Sequence, residues 1–371
     1  RFESLGVHVI QAAGKFIGRR EVVAGDARIK AKYFVVATGS SAVVPPIPGL
    51  ADVHYLTNET VFDRTECPEH LLVIGGGPIG CELAQAHRRL GAKATILEMF
   101  GILAKDDPEA ADVVRRQLQR EGISVREDIK VSEVSASDGG VTVEIECDDG
   151  AETITGSHVL VAAGRRPNLD GLDLDAAGIA HSPQGIEVDA RLRTTNKRVF
   201  AIGDVAGTLQ FTHVAGYHAG IVIRNALFKL PAKPTYRAIP RVTYTDPELA
   251  NVGLTEAEAK DRLSGDIRIL RWPFAENDRA QAERRTEGFV KVIADRKGRI
   301  HGVCIVGPHA GELIMPWVLA VENGLKVGAM ASVVAPYPTL SEVSKRASGS
   351  YFTASLFSER TKKLVRFLMR F

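Results

Sequence analysis

The sequence is poor in cysteine, with four in 371 residues, and no two of them share a short motif. That density excludes a disulfide scaffold, and the spacing excludes a zinc site, so no metal ligands are expected. Each of Cys67, Cys81, Cys147 and Cys304 reads as a small buried hydrophobe, and the usage fits a reducing cytoplasm. Charge of one sign is lacking too: the net charge is +2, which gives no footprint for a nucleic-acid partner. No apolar run is long enough to span a bilayer. There is no low-complexity tract and no short repeat. The chain opens on Arg1 without a signal-peptide pattern.

The 371 residues that remain to be explained are too many for one core, so two or three domains are expected. At 45% hydrophobic and 25% charged, the composition is that of a globular protein. Residues 41–49 (SAVVPPIPG) form a Pro-rich connector, since each Pro removes an amide donor and restrains its predecessor. Residues 33–37 read as a buried strand before it. After it, strand and helix patterns alternate to about residue 130, which predicts a parallel α/β unit. Strands are predicted over 141–146, 156–163 and 199–202. From about residue 238 strands at 288–293 and 300–306 precede a helix at 311–323, which reads as a separate α+β domain.

The strongest local signal is Leu71-Leu72-Val73-Ile74-Gly75-Gly76-Gly77-Pro78-Ile79-Gly80. A buried strand runs into Gly75-x-Gly77-x-x-Gly80, a helical pattern follows, and a second strand ends at Glu98. Gly75 permits the tight turn, Gly77 lets a pyrophosphate approach the backbone, and Gly80 lets helix and strand pack closely. The helix start, with Pro78 and Ile79, offers unpaired N–H groups to phosphates. Glu98 stands where a carboxylate accepts from both ribose hydroxyls. It would repel a 2′-phosphate, and Met99-Phe100 offers no arginine, so NADH is favoured over NADPH.

Two further pieces are Ala37-Thr38-Gly39-Ser40 and Thr195-Asn196-Lys197-Arg198-Val199-Phe200-Ala201-Ile202-Gly203-Asp204. Alone, each is a strand and a turn. Flanking a nucleotide unit, they resemble the second and third flavin motifs of the pyridine nucleotide–disulfide oxidoreductases, the class that includes dihydrolipoamide dehydrogenase and mercuric reductase. Gly164-Arg165-Arg166-Pro167-Asn168 is similar to the motif closing that family's NAD domain. Thr245-Asp246-Pro247-Glu248, Val252-Gly253-Leu254, Ala310-Gly311-Glu312-Leu313-Ile314 and Pro338-Thr339-Leu340-Ser341-Glu342 are similar to parts of its dimerisation domain.

The resemblance implies an α/β fold with FAD- and NAD-binding domains and a C-terminal α+β dimerisation domain. The expected division is 1–62 for the remainder of the FAD domain, 63–180 for the NAD domain, 181–237 for the return to the FAD site and 238–371 for dimerisation. It implies that Asp204, with Gly203, Thr38 and Gly39, holds FAD, and that Glu82 partners a lysine beside the flavin. Phe211, Thr212 and His213 follow the third motif and are placed near the flavin. Read from the residues alone, Asp204 is also a turn former beside Gly203, Glu82 a helix acid favoured by the dipole, and His213 a packing or helix-start histidine.

The sequence departs from the family in two places. The flavin Gly-x-Gly-x-x-Gly and the Cys-x4-Cys pair that open family members are not in these residues, so the flavin and disulfide steps are expected to need a segment upstream of Arg1. The family's catalytic histidine is replaced by Tyr337 in Ala335-Pro336-Tyr337-Pro338, while Glu342 is kept. Mercuric reductases have tyrosine there. A phenol with a pKa near ~10 is a poor base at neutral pH but can donate a hydrogen bond or proton; an interface aromatic with a satisfied hydroxyl is the equal alternative.

The implied activity is transfer of electrons from NADH through flavin to a small-molecule or protein disulfide, or to a metal acceptor, by a cytoplasmic homodimer with Tyr337, Glu342 and Glu82 as catalytic residues. An NADH oxidase or diaphorase of the same family and a non-catalytic nucleotide-binding fragment stay open. Asn277-Asp278-Arg279-Ala280 resembles a polar loop of the last domain and receives no chemistry. The basic and apolar tail 362–371 reads as a solvated helix in preference to a contact with anionic lipid.

Overall fold

The computed structural model describes residues 1–148, 150–263 and 267–371. The chain forms two compact units, Arg1–Val43 with Gly164–Thr235, and Val44–Ala163 with Tyr236–Phe371. The Pro-rich connector carries the chain from the first to the second. Tyr55–Leu56 joins the parallel sheet of the second unit beside His158–Val161. Arg165–Pro167 returns to pair antiparallel with Ser40–Ala42 in the first.

The first unit contains an antiparallel meander, Gly14–Gly18, Glu21–Ala24 and Ala27–Lys30. It also holds a short parallel pair in which Val199–Ala201 lies beside Phe34–Val36. Both of these strands are apolar, and Val36, Val199 and Ala201 meet Phe16, Leu174, Ile179, Ile186 and Val205 in one core. The pairing sets Gly203-Asp204, at the end of one strand, near Thr38-Gly39-Ser40, at the end of the other.

The second unit begins with a five-stranded parallel sheet in the order Tyr55–Leu56, His158–Val161, His70–Ile74, Lys93–Leu97, Ser124–Arg126. Its central strands are near-continuous apolar runs, as strands covered on both faces are: Leu71, Leu72, Val73, Ile96 and Leu160 have no exposed surface. Helices Pro78–Arg89 and Pro108–Arg120 are the crossovers. The second has Asp107 as its cap, whose carboxylate accepts from the Glu109 and Ala110 amides. An antiparallel meander, Lys130–Ser137, Gly140–Cys147 and Gly150–Gly156, is inserted before the last strand.

The remainder of this unit is a five-stranded antiparallel sheet, Arg241–Thr243, Glu248–Gly253, Ile300–Gly307, Phe289–Asp295, Ile267–Pro273, backed by helices. Trp317 is fully buried against it and donates its indole N–H to Ser344 Oγ at 3.1 Å. The helix expected over 311–323 is two pieces, Ala310–Leu313 and Met315–Glu322. Pro316 has no amide to continue the ladder, so the second helix restarts with Pro in its first turn. No described helix is long and apolar enough to cross a membrane.

Candidate functional site

The fingerprint turn is held by backbone contacts on three sides. Gly75 has φ +109°, and a Cβ there would lie 2.5 Å from the Ala162 carbonyl oxygen. A Cβ on Gly80 would lie 1.9 Å from the Gly75 oxygen. Nothing stands within 4 Å of the Cβ position on Gly77. The middle glycine therefore borders open space, while its two neighbours are locked into the fold. Pro78 occupies the first turn of the helix and Gly77 provides no side-chain cap. The amides of Gly77, Ile79 and Gly80 lie where no residue four positions back can accept from them. Bare amides at a helix start beside an open glycine fit a pyrophosphate.

Glu98 is half-buried, and its carboxylate is fixed by the backbone. One oxygen accepts from the Gly76 amide at 2.5 Å, the other from the Phe100 amide at 3.1 Å. Each oxygen keeps a further lone pair, so ribose hydroxyls can still donate to it. Gly76, which the sequence pattern treats as a spacer, is required here: a Cβ would meet Ile102 Cγ2 at 2.7 Å and Glu98 Cβ at 3.1 Å.

Glu82 lies in the second turn of the same helix. It is half-buried, and burial raises its pKa while the Tyr244 amide, 2.9 Å from Oε1, opposes that rise. Gln85, one turn on, binds both the amide and the carbonyl of Asp246, at 2.7 and 2.8 Å. The fingerprint helix is thus pinned along one side to residues 244–246.

In the first unit the flavin-type motifs converge through Ser40, a residue the sequence reading did not single out. Ser40 Oγ donates to Asp204 Oδ2 at 2.5 Å and accepts from Arg165 Nε at 2.8 Å, and Arg165 Nη2 donates to the Ser40 carbonyl at 2.5 Å. Thr38 and Asn168 exchange hydrogen bonds with each other's carbonyls at 2.8 and 3.0 Å. Gly39 has φ +70° with open space at its Cβ position, and so does Gly164 at φ +121°. Gly203, at φ +67°, donates its amide to Nδ1 of the fully buried His218 at 3.2 Å. Burial pushes the His218 pKa down, which keeps that nitrogen an acceptor. Phe211 precedes helix Thr212–Ala226, Thr212 opens it, and the exposed His213 ring stacks on Phe211 at 5.1 Å between centroids. A carboxylate set by two turns, open glycines and a nearby helix start fit the ribityl and phosphate parts of a flavin nucleotide.

Tyr337 is 70% exposed and donates its phenol to Asp278 Oδ2 at 2.9 Å. The hydrogen bond to Asp278 and that carboxylate's charge raise the phenol pKa, and Glu342 adds to the rise. Asn277 joins the two loops: it caps helix Asp278–Glu283 and donates to the Thr339 carbonyl at 3.1 Å. Glu342 opens helix Glu342–Leu356. The polar loop given no chemistry on sequence thus supplies the acceptor for Tyr337, across a separation of 59 residues.

The uniform reading of the cysteines needs correction. Cys81 and Cys304 are buried, and burial drives both thiols far up the scale. Cys67 is exposed and Cys147 is partly so. Cys67 lies in a surface connection, and Cys147 ends a strand at a hairpin.

A family model described as pyridine nucleotide-disulphide oxidoreductase matches residues 1–219, and its dimerisation-domain model matches residues 239–348. The chain belongs to the pyridine nucleotide-disulphide oxidoreductase family. The fold is this family's FAD/NAD-binding α/β architecture followed by the dimerisation domain. Among similar sequences is a mercuric reductase from Bacillus cereus, 35% identical over 348 residues, which cover 93% of this chain and 55% of that protein. Another is a dihydrolipoyl dehydrogenase from Thermus scotoductus, 37% identical over 354 residues, covering 91% of this chain and 73% of the relative. Among solved structures, LpdA from Mycobacterium tuberculosis superposes with a TM-score of 0.85 at 30% identity, covering 94% of this chain and 78% of that one. The HOCl-induced flavoprotein disulfide reductase RclA from Escherichia coli gives 0.84 at 28% identity, covering 95% and 80%. The chain spans between about half and two thirds of the length of the first mercuric reductases it matches, 55% of the Bacillus cereus and 64% of the Staphylococcus aureus protein.

Proposed function

We propose that this chain carries the NADH site and much of the flavin site of an oxidoreductase that moves electrons from NADH through FAD to a disulfide or metal acceptor. The observation that carries the reading is the fingerprint turn, in which Gly77 opens onto bare helix-start amides while Glu98 is held by the Gly76 amide. In this reading the 75–80 turn binds the pyrophosphate of NADH and Glu98 accepts from the adenosine ribose. A carboxylate in that place discriminates against NADPH by charge.

Bound flavin supplies the redox chemistry, accepting a hydride and passing electrons on. The chain's own groups hold and orient it. Asp204, set by Ser40 and Arg165, receives the ribityl hydroxyls, and Thr38, Gly39, Gly164, Gly203, Phe211, Thr212 and His213 border that site. Glu82, half-buried with a raised pKa, is the carboxylate kept for a cationic partner near the ring. Tyr337 is the proton donor to the acceptor in this reading: its phenol is protonated at neutral pH, and an acceptor would take the proton that Asp278 Oδ2 accepts here. The dimerisation domain supports a homodimer in which Tyr337 and Glu342 serve the flavin of the second copy.

Equilibrium titration with NADH and NADPH, followed by nucleotide fluorescence, tests this reading. NADH should bind at least about 10-fold more tightly than NADPH. Glu98→Ala should weaken NADH by about 10- to 100-fold, the range for losing hydrogen bonds to a charged acceptor. Equal affinity of wild type and Glu98→Ala for NADH, with the variant still folded, would remove Glu98 from the site.

A further inference from the structure

The last helix of the chain, Glu359–Leu368, has no buried residue. Only its start is tied down. Ser358 Oγ accepts the Thr361 amide at 3.2 Å, and Thr361 Oγ1 donates to the Ser355 carbonyl at 2.7 Å. Beyond that turn the two faces differ sharply. At 100° per residue Leu364, Val365, Leu368 and Met369 share one side, with Phe367 and Phe371 at its flank. Lys362, Lys363, Arg366 and Arg370 occupy the opposite side. The apolar side is in water: Leu364 is 55% exposed, Leu368 58% and Phe371 96%. Leu356 and Phe357, just before the helix, are exposed as well.

An isolated helix of ten residues is marginal in water, so this one needs its apolar face covered. The charge decides what covers it. Arg360, Lys362, Lys363, Arg366 and Arg370 stand against a single acid, Glu359. Among the described residues, Lys362 pairs with Glu359 at 2.8 Å, and Lys363, Arg366 and Arg370 form no ion pair. A second copy laid face to face on the apolar side would cover the Leu and Phe side chains but leave the basic strip, on the opposite side, without counter-charge. A bilayer with anionic headgroups satisfies both faces together: the basic strip lies at the phosphates, and the Leu, Met and Phe side chains enter the acyl boundary.

We propose that helix Glu359–Leu368 docks this protein on an anionic phospholipid surface, lying in the interface plane without spanning the bilayer. This revises the sequence expectation of a merely solvated terminal helix. The ~15 Å length of ten residues and the small apolar area make the attachment reversible.

Co-sedimentation with phosphatidylcholine vesicles, with and without phosphatidylglycerol, provides the test. The intact chain should bind the phosphatidylglycerol vesicles at low salt, release as salt rises, and ignore pure phosphatidylcholine. Replacing Lys362, Lys363, Arg366 and Arg370 together by Gln should lower the partition coefficient by at least about 100-fold. Leu364→Glu with Leu368→Glu should abolish binding and leave the melting temperature unchanged, because no residue of the helix is buried. Failure of the intact chain to bind anionic vesicles at low salt would overturn the proposal. So would dissociation of a dimer by Leu364→Glu/Leu368→Glu without any lipid binding in the wild type, which would assign the face to a second copy.

Discussion

Gly80→Ala and Gly77→Ala are one-methyl changes three residues apart whose effects should be opposite in kind. A Cβ on Gly80 would lie 1.9 Å from the Gly75 oxygen, 3.0 Å from its carbonyl carbon and 3.4 Å from Val73 Cγ1. A close carbon–oxygen contact needs about 3.3 Å, so the helix must retreat by more than about 1 Å. It would retreat from Leu71, Leu72 and Val73, which have no exposed surface and no slack. Overpacking costs about 1–3 kcal/mol, and with backbone on both sides of the clash the upper end applies. About 3 kcal/mol corresponds to a fall of roughly 6–12 °C in the melting of a unit this size. At Gly77 the backbone is extended at φ −72°, and nothing lies within 4 Å of the new methyl. Stability should stay within about 0.5 kcal/mol of wild type. The methyl would nevertheless occupy the approach of the pyrophosphate and weaken NADH by at least about 10-fold. Calorimetry and NADH fluorescence titration on both variants decide the matter. A Gly80→Ala protein melting as wild type refutes the packing argument. A Gly77→Ala protein binding NADH as wild type refutes the cradle.

Other perturbations reach different parts of the molecule. Lys291 is 7% exposed and bridges Asp107 at 2.8 Å and Glu109 at 3.1 Å, so Lys291→Met strands a buried carboxylate and should cost about 3–5 kcal/mol in urea unfolding. Asp107→Leu in the same chain should restore part of that loss. Burial works against the Lys291 charge, but the bonds to Asp107 and Glu109 outweigh it and raise its pKa. Its contribution is therefore complete below about pH 10.4 and is lost as pH rises through the higher folded value, a loss that Lys291→Met should not show. Tyr337→Phe should leave melting unchanged, because the side chain is exposed, and should lower acceptor turnover by about 10²-fold or more if the phenol donates the proton. Asp278→Asn should move the alkaline limb of that turnover to lower pH, since Asp278 is the main cause of the raised phenol pKa. An unmoved limb would detach Asp278 from Tyr337.

Legibility in the sequence followed contact range. The fingerprint strand, turn and helix are consecutive in the chain, from His70 to Arg89, and the tight packing of Gly80 was readable because its clash is with Gly75, five residues away. Gly76 was passed over because its neighbour, Glu98, is 22 positions away. Ser40 stands inside a recognised motif, yet its tie to Asp204 spans 164 residues and exists only once two parallel strands have paired. Asp278 meets Tyr337 only after Asn277 has stapled two loops together. The Lys291–Asp107 pair spans 184 residues, and nothing in a lysine within an apolar strand announces a buried partner. Two-residue and three-residue strands such as Tyr55–Leu56 and Arg165–Pro167 were illegible for a related reason: they carry no periodicity, and only their pairing shows which sheet they join.

The central claim is that NADH bound at the 75–80 turn reduces flavin held with the help of Asp204. Anaerobic titration of the FAD-loaded protein with NADH, followed in the visible spectrum, measures it most directly. The account predicts that the oxidised flavin band falls as NADH is added, that NADPH is much less effective, and that Gly77→Ala needs at least about 10-fold more NADH for the same loss. A flavin band that persists at saturating NADH, or one that NADPH removes as readily, would contradict it.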